Sequence, residues 1–244
     1  MASSAAERPA PPLAERIALH RRWVGTALAL LTLSAWAWLA TRPMMMMPSP
    51  AMVVLMWSVM MAAMMLPSAS PAILLYGRIA AQHGGSVGPS SHFLGGYLVA
   101  WSGFSLVAAA AQLAASHAAL IDPMSLRTSD TVSATLWIAA GLYQLTPLKR
   151  ACLAQCRSPA AFFARHWRAG PAAALRLGLG HGLFCIGCCG ALMALLFVGG
   201  AMNLGWAAAL AALVAFEKIT PRGDRIGRLL GVAMIGWGAF VLLA

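Results

Sequence analysis

Long apolar runs, rather than alternating apolar and polar positions, set the pattern of this chain. A helix that crosses about 30 Å of hydrocarbon needs roughly 20 apolar residues. Seven stretches meet or approach that length: 23–40, 51–76, 93–119, 132–148, 176–198, 205–216 and 229–243. They predict an all-α, polytopic membrane helical bundle of about seven transmembrane helices. The last two stretches are short, and the gap 199–204 leaves room only for a tight turn between helices. Pro67 and Pro71 remove backbone donors from the second stretch, which predicts a kink or break near its inner end.

Basic residues are unevenly shared between alternate connections. Arg8, Arg16, Arg21 and Arg22 precede the first stretch, and Arg78 follows the second. Lys149, Arg150, Arg157, Arg165, Arg168 and Arg176 lie between the fourth and fifth, and Lys218, Arg222, Arg225 and Arg228 between the sixth and seventh. Fifteen Lys and Arg thus gather on one side, while only Arg42 and Arg127 fall on the other. Positive charge stays cytoplasmic, so the N-terminus is expected inside and the C-terminus outside. Residues 1–22, with Pro9, Pro11 and Pro12, read as a disordered cytoplasmic tail, and 23–244 as the transmembrane domain. Residues 151–173 read as a cytoplasmic amphipathic loop, where Phe162, Phe163 and Trp167 among basic residues suit a short helix lying on anionic lipid, with a plain solvated loop as the competing reading. A signal peptide is the competing reading of the first stretch, since Ala35-Trp36-Ala37 resembles a cleavage site.

Composition agrees with a membrane setting. Of 244 residues, 61% are hydrophobic and 9% charged, with a mean hydropathy of +0.77. A soluble domain carries about a quarter charged residues. The net charge of +11 follows from the cytoplasmic loops, so nucleic acid is not an expected partner. The bilayer and a metal ion are. Five cysteines, an odd number, do not form a paired secreted framework.

The fifth stretch carries His181, Cys185, Cys188 and Cys189, which share roughly a 100° arc of one helix face. Counted from Arg176 at about 1.5 Å per residue, the cysteines lie some 14 to 20 Å deep. Soft thiolates with imidazole are ligand types for copper(I) or zinc. Ligands on one helix face leave half a coordination sphere empty, so a second element must contribute. In the second stretch, Met56, Met60 and Met64 form an i, i+4 row with Met61 and Met65 beside it, and Met64 lies about 20 Å from the outer face. Packing is the competing reading of each methionine and cysteine. Met44 to Met47 add an outer cluster. Cys152 and Cys156 are i, i+4 neighbours expected to face cytoplasm, with Lys149, Arg150 and Arg157 favouring their thiolates.

Glu217 stands at the edge of an apolar stretch, and an interfacial ion pair with Lys218 or Arg222 is its simplest role, with proton coupling or metal ligation as the alternative. His83, His92 and His166 read as surface or interfacial, and His117 as near the outer end of the third helix. Gly178-xxx-Gly182 and Gly227-xxx-Gly231 permit close helix contact. No GxxxxGK[ST] or HExxH occurs, so any transport would not use ATP hydrolysed by this chain.

The strings MWSVMMAAMMLPS, GLYQLTPLKRACLAQCR, GLGHGLFCIGCCGALM and AFEKITPRG together resemble a bacterial family of predicted metal-binding, copper-chaperone-like integral membrane proteins. The resemblance implies a multi-pass protein of the bacterial inner (cytoplasmic) membrane. It maps the family's motif onto Met60, Met64, Cys152, Cys156, His181, Cys185, Cys188 and Cys189. The family's pattern has a tryptophan after the paired cysteines, where this chain has Gly190.

The expected function is therefore binding and handling of a soft metal ion, copper(I) first and zinc second, for transport or delivery to a partner. A metal-donor or metal-acceptor protein would be that partner. Haem is disfavoured, because no second histidine clearly shares the depth of His181. An enzymatic alternative is a membrane thiol-disulfide oxidoreductase using Cys185-x-x-Cys188, against which stands the strain of an i, i+3 bridge within a helix.

Overall fold

A computed structural model describes residues 13–41, 49–82, 88–122 and 125–243. Its helices are α1 (Leu13–Thr41), α2 (Pro50–Gln82), α3 (Gly88–His117), α4 (Asp130–Leu145), α5 (Pro147–Arg157), α6 (Pro159–His166), α7 (Pro171–Ala194), α8 (Leu196–Gly199), α9 (Leu204–Ile219) and α10 (Gly223–Leu243). Each of the seven apolar stretches lies mainly within α1, α2, α3, α4, α7 with α8, α9 or α10, and the protein is an all-α membrane bundle. Five segments are long and apolar enough to cross a bilayer: Ile17–Thr41, Pro50–Gln82, Ser90–His117, Pro171–Gly199 and Gly223–Leu243. Helices α4 and α9 have 16 residues each, or about 24 Å.

Three expectations change. Residues 13–22, assigned to a tail, belong to α1. Of the kink or break expected in α2, the break does not occur: the helix continues through Pro67 and Pro71. Proline at position i frees the carbonyl at i−4, and both freed carbonyls have partners. Trp36 Nε1 of α1 donates to Ala63 O at 3.2 Å, and Ser70 Oγ donates to Pro67 O at 2.8 Å. The segment expected on the lipid surface is folded inward. Phe162 and Phe163 of α6 are buried, because the bundle offers aromatic partners. Phe163 packs edge-on to Tyr76 (5.7 Å between centroids) and Phe93 (5.5 Å).

Helices α1, α2, α3 and α7 pack in that order side by side, α4 packs on α10, α9 touches both α2 and α10, and α5 lies on α7. At one end Trp57 meets Phe197 at 5.1 Å and donates to Gln112 Oε1 at 2.7 Å. Thr128 N there donates to Phe197 O and Trp206 Nε1 to Leu195 O. At the other end Tyr76 stacks on Phe93, and His20 is hydrogen-bonded to Ser90. Helices α4 and α9 start at the Trp57 end and stop about 24 Å later, beside the middle of α7. The longer α2, α3 and α7 continue, and α5 with α6 fills the step. That step is where the sulfur atoms meet.

Candidate metal centre

Close approach of α3 and α7 fixes the helix that carries most of the site. A Cβ added at Gly178 would lie 1.9 Å from Phe93 O, and one at Gly96 would lie 2.0 Å from Leu175 O. On the helix thus seated, Cys185, Cys188 and Cys189 are all buried. The thiols of Cys188 and Cys189 donate to Cys185 O at 3.2 and 3.0 Å.

Helix α5 supplies the next sulfur. It starts afresh because Thr146 is extended and accepts from Lys149 N through its side chain, with Pro147 at the first helical position. Lys149, Cys152 and Cys156 fall on one face, since seven residues make nearly two turns. That face lies on α7 so closely that a Cβ at Gly187 would come 2.6 Å from Cys152 Sγ. One turn on, Cys156 Sγ stands 3.8 Å from Cys188 Sγ. The sulfurs of Cys156, Cys185 and Cys188 all lie within 4.8 Å of one another. An ion held at about 2.3 Å from each of three sulfurs would set them about 4 Å apart. The three thiols therefore fit a soft cation with little rearrangement.

Around this group the electrostatics are specific. Lys218 Nζ of α9 donates to Cys185 Sγ at 3.0 Å and to Ser68 Oγ of α2 at 3.0 Å. Tyr97 of α3 has its hydroxyl 3.2 Å from the same Cys185 sulfur and 3.3 Å from Met65 O. Buried beside them, Lys149 Nζ donates to Glu217 Oε2 at 2.6 Å, and Gln144 Nε2 donates to Oε1 at 3.0 Å.

Expected and observed positions can now be compared. Cys156, Cys185 and Cys188 come together; Cys189 instead faces Met65, its Sγ 3.8 Å from Sδ. Met56, Met60 and Met64 are buried on α2, but the thioether seen against α7 belongs to Met65, next to the expected row. His181 is buried among Phe162, Phe93 and Tyr97, at centroid distances of 5.6, 5.9 and 6.0 Å. Among the described residues its Nδ1 has no hydrogen-bond partner, which leaves a buried nitrogen free to act as a ligand. Met44 to Met47 lie outside the described residues. Gly190 borders Ile186 and Phe104, where a Cβ would make ordinary contacts at 3.4 and 3.5 Å.

Two expectations are corrected. Cys152 and Cys156 are not exposed thiols activated by basic neighbours. Lys149 is engaged by Glu217 and Arg157 by Pro221 O and Asp224. Burial, then the neighbouring Cys188, pushes the Cys152 thiol up. Hydrogen bonds to Cys185 and Cys188, then burial, hold Cys156 well above the ordinary thiol range. Glu217 is not an interfacial partner of Lys218 or Arg222 but a buried partner of Lys149 and Gln144. Sequence reasoning missed Lys218 and Tyr97 as neighbours of the site; it named Met65 only as flanking the methionine row and Lys149 only as a basic neighbour of the two α5 thiols. The consecutive charges in AFEKITPRG were the available sign for Lys218; Tyr97 offered none.

No curated protein and no solved structure matches the chain. The family model of the PpoB2 copper chaperones matches residues 54–241, three helices of which supply the sulfur cluster and its cationic neighbour, and the chain belongs to that family.

Proposed function

We propose that the protein binds copper(I) as cargo at the thiols of Cys156, Cys185 and Cys188 and holds it within the membrane for delivery to a partner protein. The carrying observation is the approach of these three sulfurs, from two helices, to within 4.8 Å of one another. Polarisable thiolates favour copper(I) over harder cations, and Lys218 balances part of the negative charge that two or three thiolates bring into a low-dielectric interior. Tyr97 and Lys218 orient Cys185 by hydrogen bonds to its sulfur. His181, with its free Nδ1 one turn away on α7, offers a nitrogen at the edge of the group. Methionines 56, 60, 61, 64 and 65 line α2 with thioethers that would take a soft ion from the Trp57 end.

In this reading all seven apolar stretches cross the bacterial inner membrane, with the N-terminus and the basic connections in the cytoplasm. The 16-residue α4 and α9 reach across only if the hydrocarbon is locally thin or their ends borrow α5 and the basic turn after α9. Zinc and the oxidoreductase alternative are separated from copper(I) by one experiment. The protein is purified anaerobically, loaded with copper(I) or zinc, and assayed for bound metal as wild type and as Cys156→Ser/Cys185→Ser/Cys188→Ser. One tightly held copper(I) in the wild type and none in the variant is expected. Equal retention by both overturns the site, and preferential zinc retention overturns the choice of metal. A reversible disulfide trapped by thiol labelling in native membranes would favour the redox reading.

A further inference from the structure

Helix α5 brings Cys156 to the centre, yet no continuous helix holds α5 there. Thr146 at one end and Ser158 at the other are non-helical, and Pro147 and Pro159 begin new helices after them. Side chains must do the holding. At its far end Arg157 donates to Pro221 O and lies 3.9 Å from Asp224, a half-exposed contact that contributes little in water. The other tie differs in kind. Lys149 and Glu217 meet at 2.6 Å with both side chains only 2% exposed, and Gln144 occupies the second carboxylate oxygen. From the opposite side α10 covers the pair at Gly227, where a Cβ would come 3.1 Å from Lys149 Nζ and 3.2 Å from Glu217 Oε1. Lys149 shares its face of α5 with Cys156 two turns away. Losing one member of such a pair strands the other charge away from water, so the contact holds only as a whole.

The partner helix makes the arrangement more specific. Glu217 of α9 holds α5, and the next residue, Lys218, reaches Cys185 of α7 and Ser68 of α2. Two consecutive residues of α9 therefore grip both halves of the sulfur group. We infer that the buried pair of Lys149 and Glu217 is a latch that keeps Cys156 at the metal centre, and so decides whether an ion is held by three sulfurs or by the two of α7. Glu217 acts as a positioning residue: it touches no sulfur and works through Lys149 and α5. This latch rests on the copper(I) reading for its purpose but not for its mechanics.

The experiment uses the full chain in detergent, as wild type, Glu217→Gln, Cys156→Ser, the combination of these two, and the charge exchange Lys149→Glu/Glu217→Lys. Each is loaded with copper(I), its sulfur coordination is read by X-ray absorption, and hand-over to excess bathocuproine disulfonate is timed. Glu217→Gln is expected to lower coordination from three sulfurs to two and to speed hand-over about tenfold, the usual effect of removing an outer support. Cys156→Ser should do the same, Glu217→Gln should add nothing to it, and the charge exchange should restore slow hand-over. If Glu217→Gln speeds hand-over as much with Cys156→Ser as without it, the latch is wrong and the variant merely loosens the fold. A metal-free measurement separates the two readings. With the other four cysteines changed to serine, maleimide should label Cys156 faster in Glu217→Gln than in the same background with Glu217 intact. Unchanged labelling overturns the latch. Faster labelling in a protein whose wild type holds no copper(I) overturns the cargo and leaves the latch standing.

Discussion

Helices α2 and α5 each involve two prolines, with opposite results. Pro67 and Pro71 sit inside α2 and the helix continues; Pro147 and Pro159 each open a new helix, so α5 is a rod cut off at both ends. The backbone chemistry is identical in all four cases, since each proline frees the carbonyl four residues before it. What differs is the preceding residue and the partner. In α2 the freed carbonyl of Ala63 receives Trp36 Nε1 from a neighbouring helix, and the chain stays helical. At Pro147 the freed carbonyl is that of Tyr143, which receives Thr146 N and Thr146 Oγ1. Those bonds turn the chain out of the helix. A hydroxyl before the proline does not decide the outcome, since Ser70 answers Pro67 O as Thr146 answers Tyr143 O; the chain leaves the helix where the preceding backbone amide, Thr146 N, also turns to the orphaned acceptor. The site uses both outcomes, with Ser68 and Met65 on the continuous wall of α2 and Cys156 on the separate arm of α5.

The largest test strikes the α3–α7 contact, on which wall and arm both rest. Gly178→Val on α7 would drive a side chain into Phe93 O, where even a Cβ comes within 1.9 Å. We expect a loss of about 3 kcal/mol, at the upper end of overpacking costs, read as a fall in the denaturation midpoint in micelles, together with loss of the whole metal centre. A tolerated substitution would mean that the α3–α7 contact does not set the frame. Next in size is the contrast between ligands. Cys185→Ser removes the sulfur that accepts from Lys218 and is hydrogen-bonded to the Tyr97 hydroxyl, and should weaken copper(I) binding by at least about 100-fold. Cys156→Ser removes the arm's ligand and should cost about tenfold, leaving a two-sulfur site on α7. Competition against a copper(I) chelator measures both. Equal losses would erase the distinction between the α7 ligand and the arm's.

Much of the frame was legible because lipid imposes it. Hydrocarbon demands long apolar helices, and those runs coincide with the helices observed. The cysteines of the three-sulfur group were likewise visible, since few residue types offer soft ligands. What sequence could not supply was direction. Helix α2 is buried on nearly all sides, by α1, α3 and α9 among others, so its methionines carry no face, and Met65 was indistinguishable from Met64. Charges at a helix end read as interfacial, and Glu217 and Lys218 fit that description until the short α9 is seen to stop beside the middle of α7. The basic, aromatic segment around Phe162 resembles a lipid-facing helix for the same reason: its amphipathic pattern is real, but the step left by short helices gives its rings a protein partner. The misses at α9 and around Phe162 trace to helices of unequal length, which no single segment records.

The smallest effect tests why α2 continues through Pro67. Trp36→Phe keeps a ring of similar shape and removes only the donor that satisfies Ala63 O. An orphaned buried carbonyl costs about 1 kcal/mol or more. In Pro67→Ala, residue 67 regains an amide N–H that reaches Ala63 O within the helix, so the indole donor becomes redundant. Trp36→Phe should therefore destabilise the wild type by about 1 kcal/mol more than it destabilises Pro67→Ala. The difference, measured as the coupling in a double-mutant cycle of unfolding in micelles, isolates that one hydrogen bond from the packing of the ring. A coupling near zero would show that α2 tolerates its proline without the indole, and that the wall owes its continuity to the packing of α1, α3 and α9 alone.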